Sequence, residues 1–208
     1  MVVAPALAKR DKSAKREAIV LIAKDIFLKE GYSATSMATI AARVGGSKAT
    51  LYNHFPSKEE LFEAVVQEIC DRNAAVFGSL DLASGDLRMA LRHFGGVVTR
   101  LLLSDELIAM HRLIAAEAGR FPEIGEAYYK AGVSRGKQKL VDGFRTVMES
   151  GRLRKADPMI AAQQFIELCL AGMHRRRLWN YGAKPTEAEI EANIDAAVAT
   201  FMDGYRAK

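Results

Sequence analysis

The sequence predicts an all-α protein in two parts, an N-terminal helix-turn-helix domain of three helices and a longer C-terminal helical bundle. Three observations indicate this fold. Apolar residues recur with the 3.6-residue period of an amphipathic helix along most of the 208 residues, without strand-like alternation. Glycines and capping residues divide this pattern into separate helices. Two short helical segments near the N-terminus flank a glycine-containing turn, which is typical of a helix-turn-helix.

The first helix is marked by one apolar face that stops at a glycine. The members of this face are Ile19, Ile22, Ala23, Ile26 and Phe27. Their spacing predicts a helix that ends at Gly31. Residues 1–12 precede this pattern and place apolar residues before basic ones, the reverse of the order in a signal peptide. We therefore expect 1–12 to be a disordered basic leader and the first domain to span 13–58.

Two short helices follow the first one. Either Thr35 or Ser36 can cap the second helix, which is expected to end at the two glycines 45–46. Ser47 can cap the third helix, and Pro56 closes it. These two helices and the tight turn between them form the predicted helix-turn-helix.

Longer amphipathic helices are expected in the second domain, which should span 59–208. The fourth helix is predicted to begin at Ser57 and to continue to about Phe77. Five further helices are predicted near 87–103, 106–119, 123–150, 157–180 and 186–204. The last two carry apolar stripes that can build a two-helix face, so the second domain is predicted to be a helical bundle.

Positive charge is concentrated in the first quarter of the chain. The whole sequence has 30 Lys and Arg against 25 Asp and Glu, whereas residues 1–58 contain 10 against 4. A basic module attached to a nearly neutral body indicates a polyanionic partner for that module alone. An architectural protein that binds DNA without sequence preference is the alternative, but it should carry basic residues over the whole body.

The helix-turn-helix carries the residues expected to act on DNA. The segment Thr35 to Phe55 reads TSMATIAARVGGSKATLYNHF, and its second helix is rich in small polar residues. This second helix of the motif, which is the third helix of the chain, presents Lys48, Thr50 and Asn53 outward, where they can contact base edges or phosphates. Ala49 is small enough to let this helix enter the major groove. We therefore expect double-stranded DNA to be the partner of the first domain.

The longer run Gly31–Val66, GYSATSMATIAARVGGSKATLYNHFPSKEELFEAVV, resembles the N-terminal signature of the TetR family of transcription regulators. The resemblance implies that some side chains hold the phosphate backbone and that others begin the recognition helix. The expected DNA-binding residues are Thr35, Ser36, Ser47, Lys48, Ala49, Thr50, Tyr52, Asn53, His54 and Lys58. Gly46 departs from the family pattern, which usually has an apolar residue in the turn.

The second domain resembles the C-terminal domain of AefR-like regulators of that family, in the runs Arg112–Gly132, Gly151–Phe165 and LCLAGMHRRRLW. The resemblance implies a bundle that dimerises through its last two helices and encloses a ligand cavity. The expected dimer residues are Ala161, Phe165, Leu168, Ile190, Ile194, Ala197, Val198 and Phe201. The expected pocket residues are Phe94, Met110, Phe121, Tyr128, Phe144, Phe165 and Trp179, although aromatic residues at helical spacing are more often plain core.

These expectations describe a cytoplasmic homodimer that binds a palindromic operator, represses transcription and is released by an unidentified small molecule. A helical enzyme is the weaker alternative. The run GVSRGK at 132–137 has one residue too few between its glycines for a phosphate-binding loop, and no strand precedes it. Cys169 and His174 lie five residues apart without further ligands, so we expect no metal or cofactor. No apolar run is long enough to span a membrane.

Overall fold

The computed structural model describes residues 4–73, 81–82 and 85–207, with side-chain positions except at 4–12 and 133–136. The helices in this described part are α1 (Ala4–Glu30), α2 (Met37–Val44), α3 (Lys48–His54), α4 (Lys58–Arg72), α5 (Leu87–Leu102), α6 (Asp105–Glu117), α7 (Pro122–Tyr128), α8 (Arg135–Glu149), α9 (Pro158–Leu170), α10 (Met173–Leu178) and α11 (Glu187–Gly204). A π-helical segment, Tyr129–Ser134, lies between α7 and α8. The described residues form no strand, so the predicted all-α class is confirmed.

The chain divides into two compact units, and their limits differ from the expected boundaries at 12 and 58. The first unit consists of residues 1–70 and 112–131, and the second of 71–111 and 132–208. Most of α4 belongs to the first unit because its apolar face is buried there. Phe62 of α4 packs edge-on against Phe27 and Tyr32, with ring centroids 5.4 and 5.3 Å apart.

Helix α1 is longer than the sequence pattern predicted. It begins at Ala4, so the expectation of a disordered leader is wrong for residues 4–12, and residues 1–3 lie outside the described residues. The predicted apolar face is buried at Ile19, Ala23, Ile26 and Phe27. The basic residues before this face extend α1 because Lys, Arg and Ala all have high helix propensity. The predicted end of the fourth helix at Phe77 lies outside the described residues.

The core of the second unit is built around stacked aromatic rings of three helices. Phe201 of α11 stacks on Phe144 of α8 at 4.9 Å, meets the edge of Phe165 of α9 at 5.2 Å, and stacks on Tyr205 at 4.5 Å. Asn193 of α11 also donates hydrogen bonds to carbonyl oxygens near the end of α9. These contacts join α8, α9 and α11 into one core.

This packing overturns the expected dimer residues. Leu168 packs against the chain's own core and is partly exposed. The other seven are buried inside that core; they are Ala161, Phe165, Ile190, Ile194, Ala197, Val198 and Phe201. A side chain that is already enclosed by its own chain cannot at the same time cover a second copy. The apolar stripe was therefore read correctly as a buried face and wrongly as an intermolecular one.

Two predicted helices depart from regular α-helix: one is broken in two, and the other contains a π-helical turn. The expected helix 157–180 is broken into α9 and α10 at Ala171 and Gly172, whose φ angles are 20° and 84°. A residue with positive φ cannot continue a right-handed helix, and glycine adopts this conformation at low cost. The expected helix 123–150 is continuous in the chain but contains the π-helical turn.

Candidate DNA-binding site

Helix α2 is held by a cap at its start and by an apolar face. The Ser36 hydroxyl accepts a hydrogen bond from the Thr39 amide at 3.0 Å, which identifies Ser36 rather than Thr35 as the N-cap. Met37, Ile40 and Ala41 are buried. The helix therefore presents one side to the core of the first unit and leaves Ser36 exposed, where its predicted contact with DNA stays a prediction.

The turn between α2 and α3 depends on Gly45, not on Gly46. Gly45 has a φ of 72° and closes α2 by donating its backbone N–H to carbonyls of the preceding turn. Gly46 has no left-handed φ, and a Cβ built on it would meet its nearest neighbours, Thr50 and Val44, at 3.9 and 4.0 Å. The departure from the family pattern at Gly46 therefore removes a side chain that the turn has room for.

Helix α3 places a polar face in solvent. The Ser47 hydroxyl caps it by accepting a hydrogen bond from the Thr50 amide at 3.1 Å, and the two hydroxyls lie 2.9 Å apart. Leu51 is the residue of this helix that is buried. The residues exposed on its outer side are Lys48, Ala49, Tyr52 and Asn53, with Tyr52 48% exposed. The sequence pattern predicted Lys48, Ala49 and Asn53 on this face, together with Thr50, which is only partly exposed. The contacts of the face with DNA remain a prediction.

Thr35 and Lys58 are occupied inside the first unit. Thr35 is 2% exposed, and its hydroxyl donates to the Gly31 carbonyl at 2.7 Å. The Lys58 ammonium donates to the carbonyls of Tyr32 and Thr35 at 2.9 and 3.2 Å and lies 4.1 Å from the centre of the Tyr32 ring. These contacts direct both side chains inward and hold the loop between α1 and α2, while their predicted contacts with phosphates stay predictions.

A segment from the middle of the chain completes this loop's surroundings. Phe121 meets the edge of the Tyr32 ring at 5.1 Å and lies 5.7 Å from the Lys58 ammonium. Glu117 accepts a hydrogen bond from the Ser33 amide at 2.9 Å. Phe121 was expected in a ligand pocket, but it packs here. Sequence reasoning missed this cluster because Glu117 and Phe121 lie more than 80 residues after the loop and share no periodic pattern with it.

The neutral phenol of Tyr32 lies beside the carboxylate of Glu59. The Tyr32 hydroxyl donates to Glu59 at 3.2 Å. Burial, followed by the negative charge of Glu59, raises the pKa of Tyr32 well above its usual range. A hydrogen bond from its own backbone amide lowers the pKa of Glu59. The Tyr32 hydroxyl therefore stays protonated and acts as a hydrogen-bond donor. The cluster around Tyr32 stabilises the loop between α1 and α2 and is not an acid-base site.

Two further residues lie near the end of α3. His54 is partly buried as the last residue of this helix, so its predicted contact with phosphate remains a prediction. The Arg16 guanidinium of α1 lies 4.6 Å from the centre of the Phe55 ring. Phe55 is buried and ends α3, so this contact connects the basic part of α1 to the end of α3.

The expected pocket residues are divided between the two units. Phe94, Phe144 and Phe165 belong to the buried core of the second unit, and Met110 is fully buried. Trp179 is 71% exposed, so its assignment to a closed pocket is wrong. Phe121 and Tyr128 belong to the first unit. For the expected residues other than Trp179, a place in a ligand pocket stays a prediction.

Known protein families match both parts of the chain. Residues 19–65 match the model of bacterial regulatory proteins of the tetR family, and residues 89–207 match the C-terminal domain of AefR-like transcriptional repressors. The second match alone covers more than half of the sequence. The chain belongs to the TetR family. It is a transcription regulator with a helix-turn-helix that binds DNA, and not an enzyme.

Individual relatives agree with this assignment. The regulator FasR of Mycolicibacterium smegmatis, a transcriptional activator, is 41% identical over 78 residues, which are 38% of this chain and 31% of FasR. YvkB of Bacillus subtilis, an uncharacterised regulator, is 25% identical over 89% of this chain and 94% of its own length. The structure of the flavonoid-responsive regulator FrrA is 32% identical, covers 94% of this chain and 99% of its own, and superposes with a TM-score of 0.83.

The described residues also bear on two other classes of function, membrane proteins and metalloproteins. None of the helices there is both long enough and apolar enough to cross a membrane. Within the same residues, no three His, Cys, Asp or Glu side chains are grouped so that they could hold a metal ion. His174 lies beside His111, with His111 Nδ1 2.8 Å from His174 Nε2.

Proposed function

We propose that this TetR-family regulator is a repressor that binds a near-palindromic operator as a homodimer and leaves it when a small molecule binds. The observation that carries this proposal is the exposed polar face of α3. This helix has seven residues and is therefore about 10 Å long, so one copy can touch only a few base pairs. Two copies related by a two-fold axis would read two half-sites in successive major grooves, about 34–36 Å apart.

The residues of α3 have different roles in this proposal. Lys48 is a point charge on a flexible stem and contacts phosphates. Asn53 can form two hydrogen bonds with an adenine edge, and Thr50 can contact a base through its hydroxyl or methyl group. Replacement of Thr50 or Asn53 by Ala should change which sequences are preferred, and equal losses on specific and random duplexes would contradict this assignment.

The dimer surface in this proposal is the outer side of α9 and α11, opposite the buried stripes. Ala188, Ala192 and Ala196 are exposed on α11, and Ile160 is 48% exposed on α9. Small side chains allow a second pair of helices to approach closely, and the exposed Ile160 gains from being covered. The proposed interface therefore uses the two helices that the sequence predicted, but with their solvent-exposed sides, and not their buried stripes, against the partner.

The dimer surface can be tested with one pair of variants. Ala192→Arg should convert the dimer to a monomer at micromolar concentration, because a charged side chain would be buried at its centre. Ala115→Arg, at an exposed alanine of α6, is the matched control and should leave the dimer intact. Sedimentation velocity measures both, and a dimer in both variants would rule out this surface.

Flavonoids are the first effectors to test. FrrA is described as flavonoid-responsive, and it is 32% identical to this chain over nearly the whole length of both. The C-terminal match to AefR-like transcriptional repressors, over residues 89–207, favours repression, whereas the match to the activator FasR covers only 78 residues. A molecule that releases the protein from DNA must bind the released arrangement more tightly than the DNA-bound one.

The decisive experiment is selection of bound duplexes from a random pool, repeated with and without a mixture of flavonoids. We expect a near-palindrome to be enriched, and its recovery to fall when flavonoids are present. Footprinting on the enriched sequence then gives the half-site spacing. Enrichment of no common sequence would favour binding without sequence preference, and unchanged recovery would exclude flavonoids as effectors.

A further inference from the structure

A pair of histidines of the second unit, His111 and His174, joins helices α6 and α10. His111 Nδ1 and His174 Nε2 lie 2.8 Å apart, and the two rings meet edge to face with centroids 4.9 Å apart. A second contact, between Arg177 of α10 and Asp105 of α6 at 2.5 Å, fixes the same two helices. The His111–His174 pair is therefore held in a defined geometry by its surroundings.

The break before α10 is what brings His174 to this position. Ala171 and Gly172 both have positive φ, so α10 leaves the direction of α9. Its first residue, Met173, is buried in the core of the second unit, and His174 follows it at the edge of that core. The strained Ala171 indicates that this placement is maintained at some cost, which is common where a side chain has a function.

The surroundings of both histidines favour the uncharged form of the ring. Burial lowers the pKa of His111 to about 4, with the nearby His174 acting in the same direction. Burial also lowers the pKa of His174, while the negative charge of Glu167 opposes this. Each of the two residues nevertheless remains partly exposed, so the pair is not sealed in the core. An uncharged pair at the edge of a core suits an uncharged ligand.

The hydrogen bond within the pair determines what His174 can offer to a ligand. If His111 donates, His174 carries its proton on Nδ1 and is a donor there; if His174 donates, Nδ1 is an acceptor. A hydroxyl group can match either state, because it both donates and accepts. A methyl ether can match only the donor state, and weakly. We propose that His174 Nδ1 binds a phenolic hydroxyl of the effector, with His111 as the positioning residue that selects its tautomer.

A metal ion is the competing ligand for two histidines, and the surroundings disfavour it. Zinc in proteins takes four ligands, or three with a water molecule. Among the described residues, no group of three or more His, Cys, Asp or Glu side chains includes this pair. The phenolic ligand is therefore the proposal, and zinc becomes one of the outcomes of its test. The proposal rests on the proposed function, since it concerns the effector of that regulator.

The test uses the full-length protein and two matched pairs of probes, 7-hydroxyflavone with 7-methoxyflavone and 4′-hydroxyflavone with 4′-methoxyflavone. Calorimetry should give tighter binding of at least one hydroxylated probe than of its ether. His174→Gln keeps an amide where Nε2 meets His111 but removes Nδ1, and should weaken that hydroxylated probe about five- to tenfold, the size expected for one hydrogen bond. The affinity of the ether should not change.

The controls separate this inference from the fold and from the proposed function. His93→Gln, at an exposed histidine of α5, should leave binding unchanged, and melting temperatures exclude unfolding. His111→Asn keeps a group at the Nδ1 position and should alter the nitrogen resonances of the His174 ring that report its tautomer. Binding of the apo protein to its operator, measured separately in each variant, should equal that of the wild type.

Three results would overturn the proposal. The first is that no hydroxylated probe binds, or that hydroxylated and methylated probes bind the wild type equally. The second is that His174→Gln binds the hydroxylated probe as tightly as the wild type does. The third is that equilibrium dialysis detects zinc bound at micromolar concentration and lost in both variants. Failure of the wild type to bind any operator would instead count against the proposed function.

Discussion

Helices α3 and α11 divide their residues between core and solvent in opposite ways. Of the seven residues of α3, Leu51 is the buried one, and the position of the helix depends on the Ser47 cap and on its neighbours. Helix α11 buries a continuous stripe along 18 residues, Ile190, Ile194, Ala197, Val198 and Phe201. The comparison teaches that a short helix with one anchor leaves a face free for DNA, whereas a long stripe stabilises its own chain first.

The largest expected effect is on the long stripe. Phe201→Ala removes a ring that contacts Phe144, Phe165 and Tyr205, so it should lower the free energy of unfolding by about 3–5 kcal/mol. Urea unfolding measures this loss. If Phe201 instead belonged to a dimer interface, the variant would dissociate without a large change in the stability of the monomer.

A smaller loss is expected where the loop between α1 and α2 is held. Lys58→Met keeps the length of the side chain but loses the two hydrogen bonds to the carbonyls of Tyr32 and Thr35, and should cost about 1–2 kcal/mol of stability. Thermal unfolding of the variant beside the wild type measures this cost. Unchanged stability together with weaker DNA binding would restore Lys58 to the phosphate-contacting set.

The matched lysine on α3 should behave in the opposite way. Lys48 is exposed, so Lys48→Met should leave stability within about 0.5 kcal/mol of the wild type. It should weaken binding to all duplexes and lower the slope of log affinity against log salt by about one. Titrations at several salt concentrations provide this slope, and an unchanged slope would mean that Lys48 does not neutralise a phosphate.

The smallest expected effects lie in the turn. Gly46→Ala should be neutral or should stabilise by up to about 0.5–1 kcal/mol, because the site has room for a Cβ and no left-handed φ. Gly45→Ala should destabilise by about 1–2 kcal/mol, because φ there is 72°. Chemical denaturation of the two variants compares them directly. Equal losses at both positions would show that Gly46 is also required by the backbone.

The sequence was sufficient for features that depend on local chemistry. The cap at Ser47 and the exposed face of α3 follow from residue type and spacing within a few positions, as does the end of α2 at glycines 45–46. The structure was needed to choose Ser36 over Thr35 as the cap and Gly45 as the left-handed glycine. The resemblance to the TetR family added the expectation that these features serve DNA binding; the family matches confirm the family, and the individual DNA contacts stay predictions.

The sequence was insufficient where distant residues decide the outcome. Periodicity predicts that the stripe of α11 is buried, but the same pattern would arise if a second copy of the chain covered it. The inward direction of Lys58 depends on Tyr32 and Phe121, which local patterns do not connect. The break at Ala171 lies in an apolar run without a proline, so its left-handed backbone was not predictable from periodicity.

Close packing around Gly95 of α5 has a consequence for thiol chemistry. A Cβ at this position would lie 3.0 Å from the sulfur of Cys169 and 3.3 Å from the Phe165 ring, so the bare glycine lets α5 cover that sulfur. Burial raises the pKa of the Cys169 thiol to about 12, and the reactive thiolate is nearly absent at neutral pH. Cys70 is partly exposed. Alkylating reagents should therefore modify Cys70 first. In a Cys70→Ser variant, a cysteine introduced on α9 or α11 should be the thiol that reacts, so a probe can be attached to either helix of the proposed dimer surface.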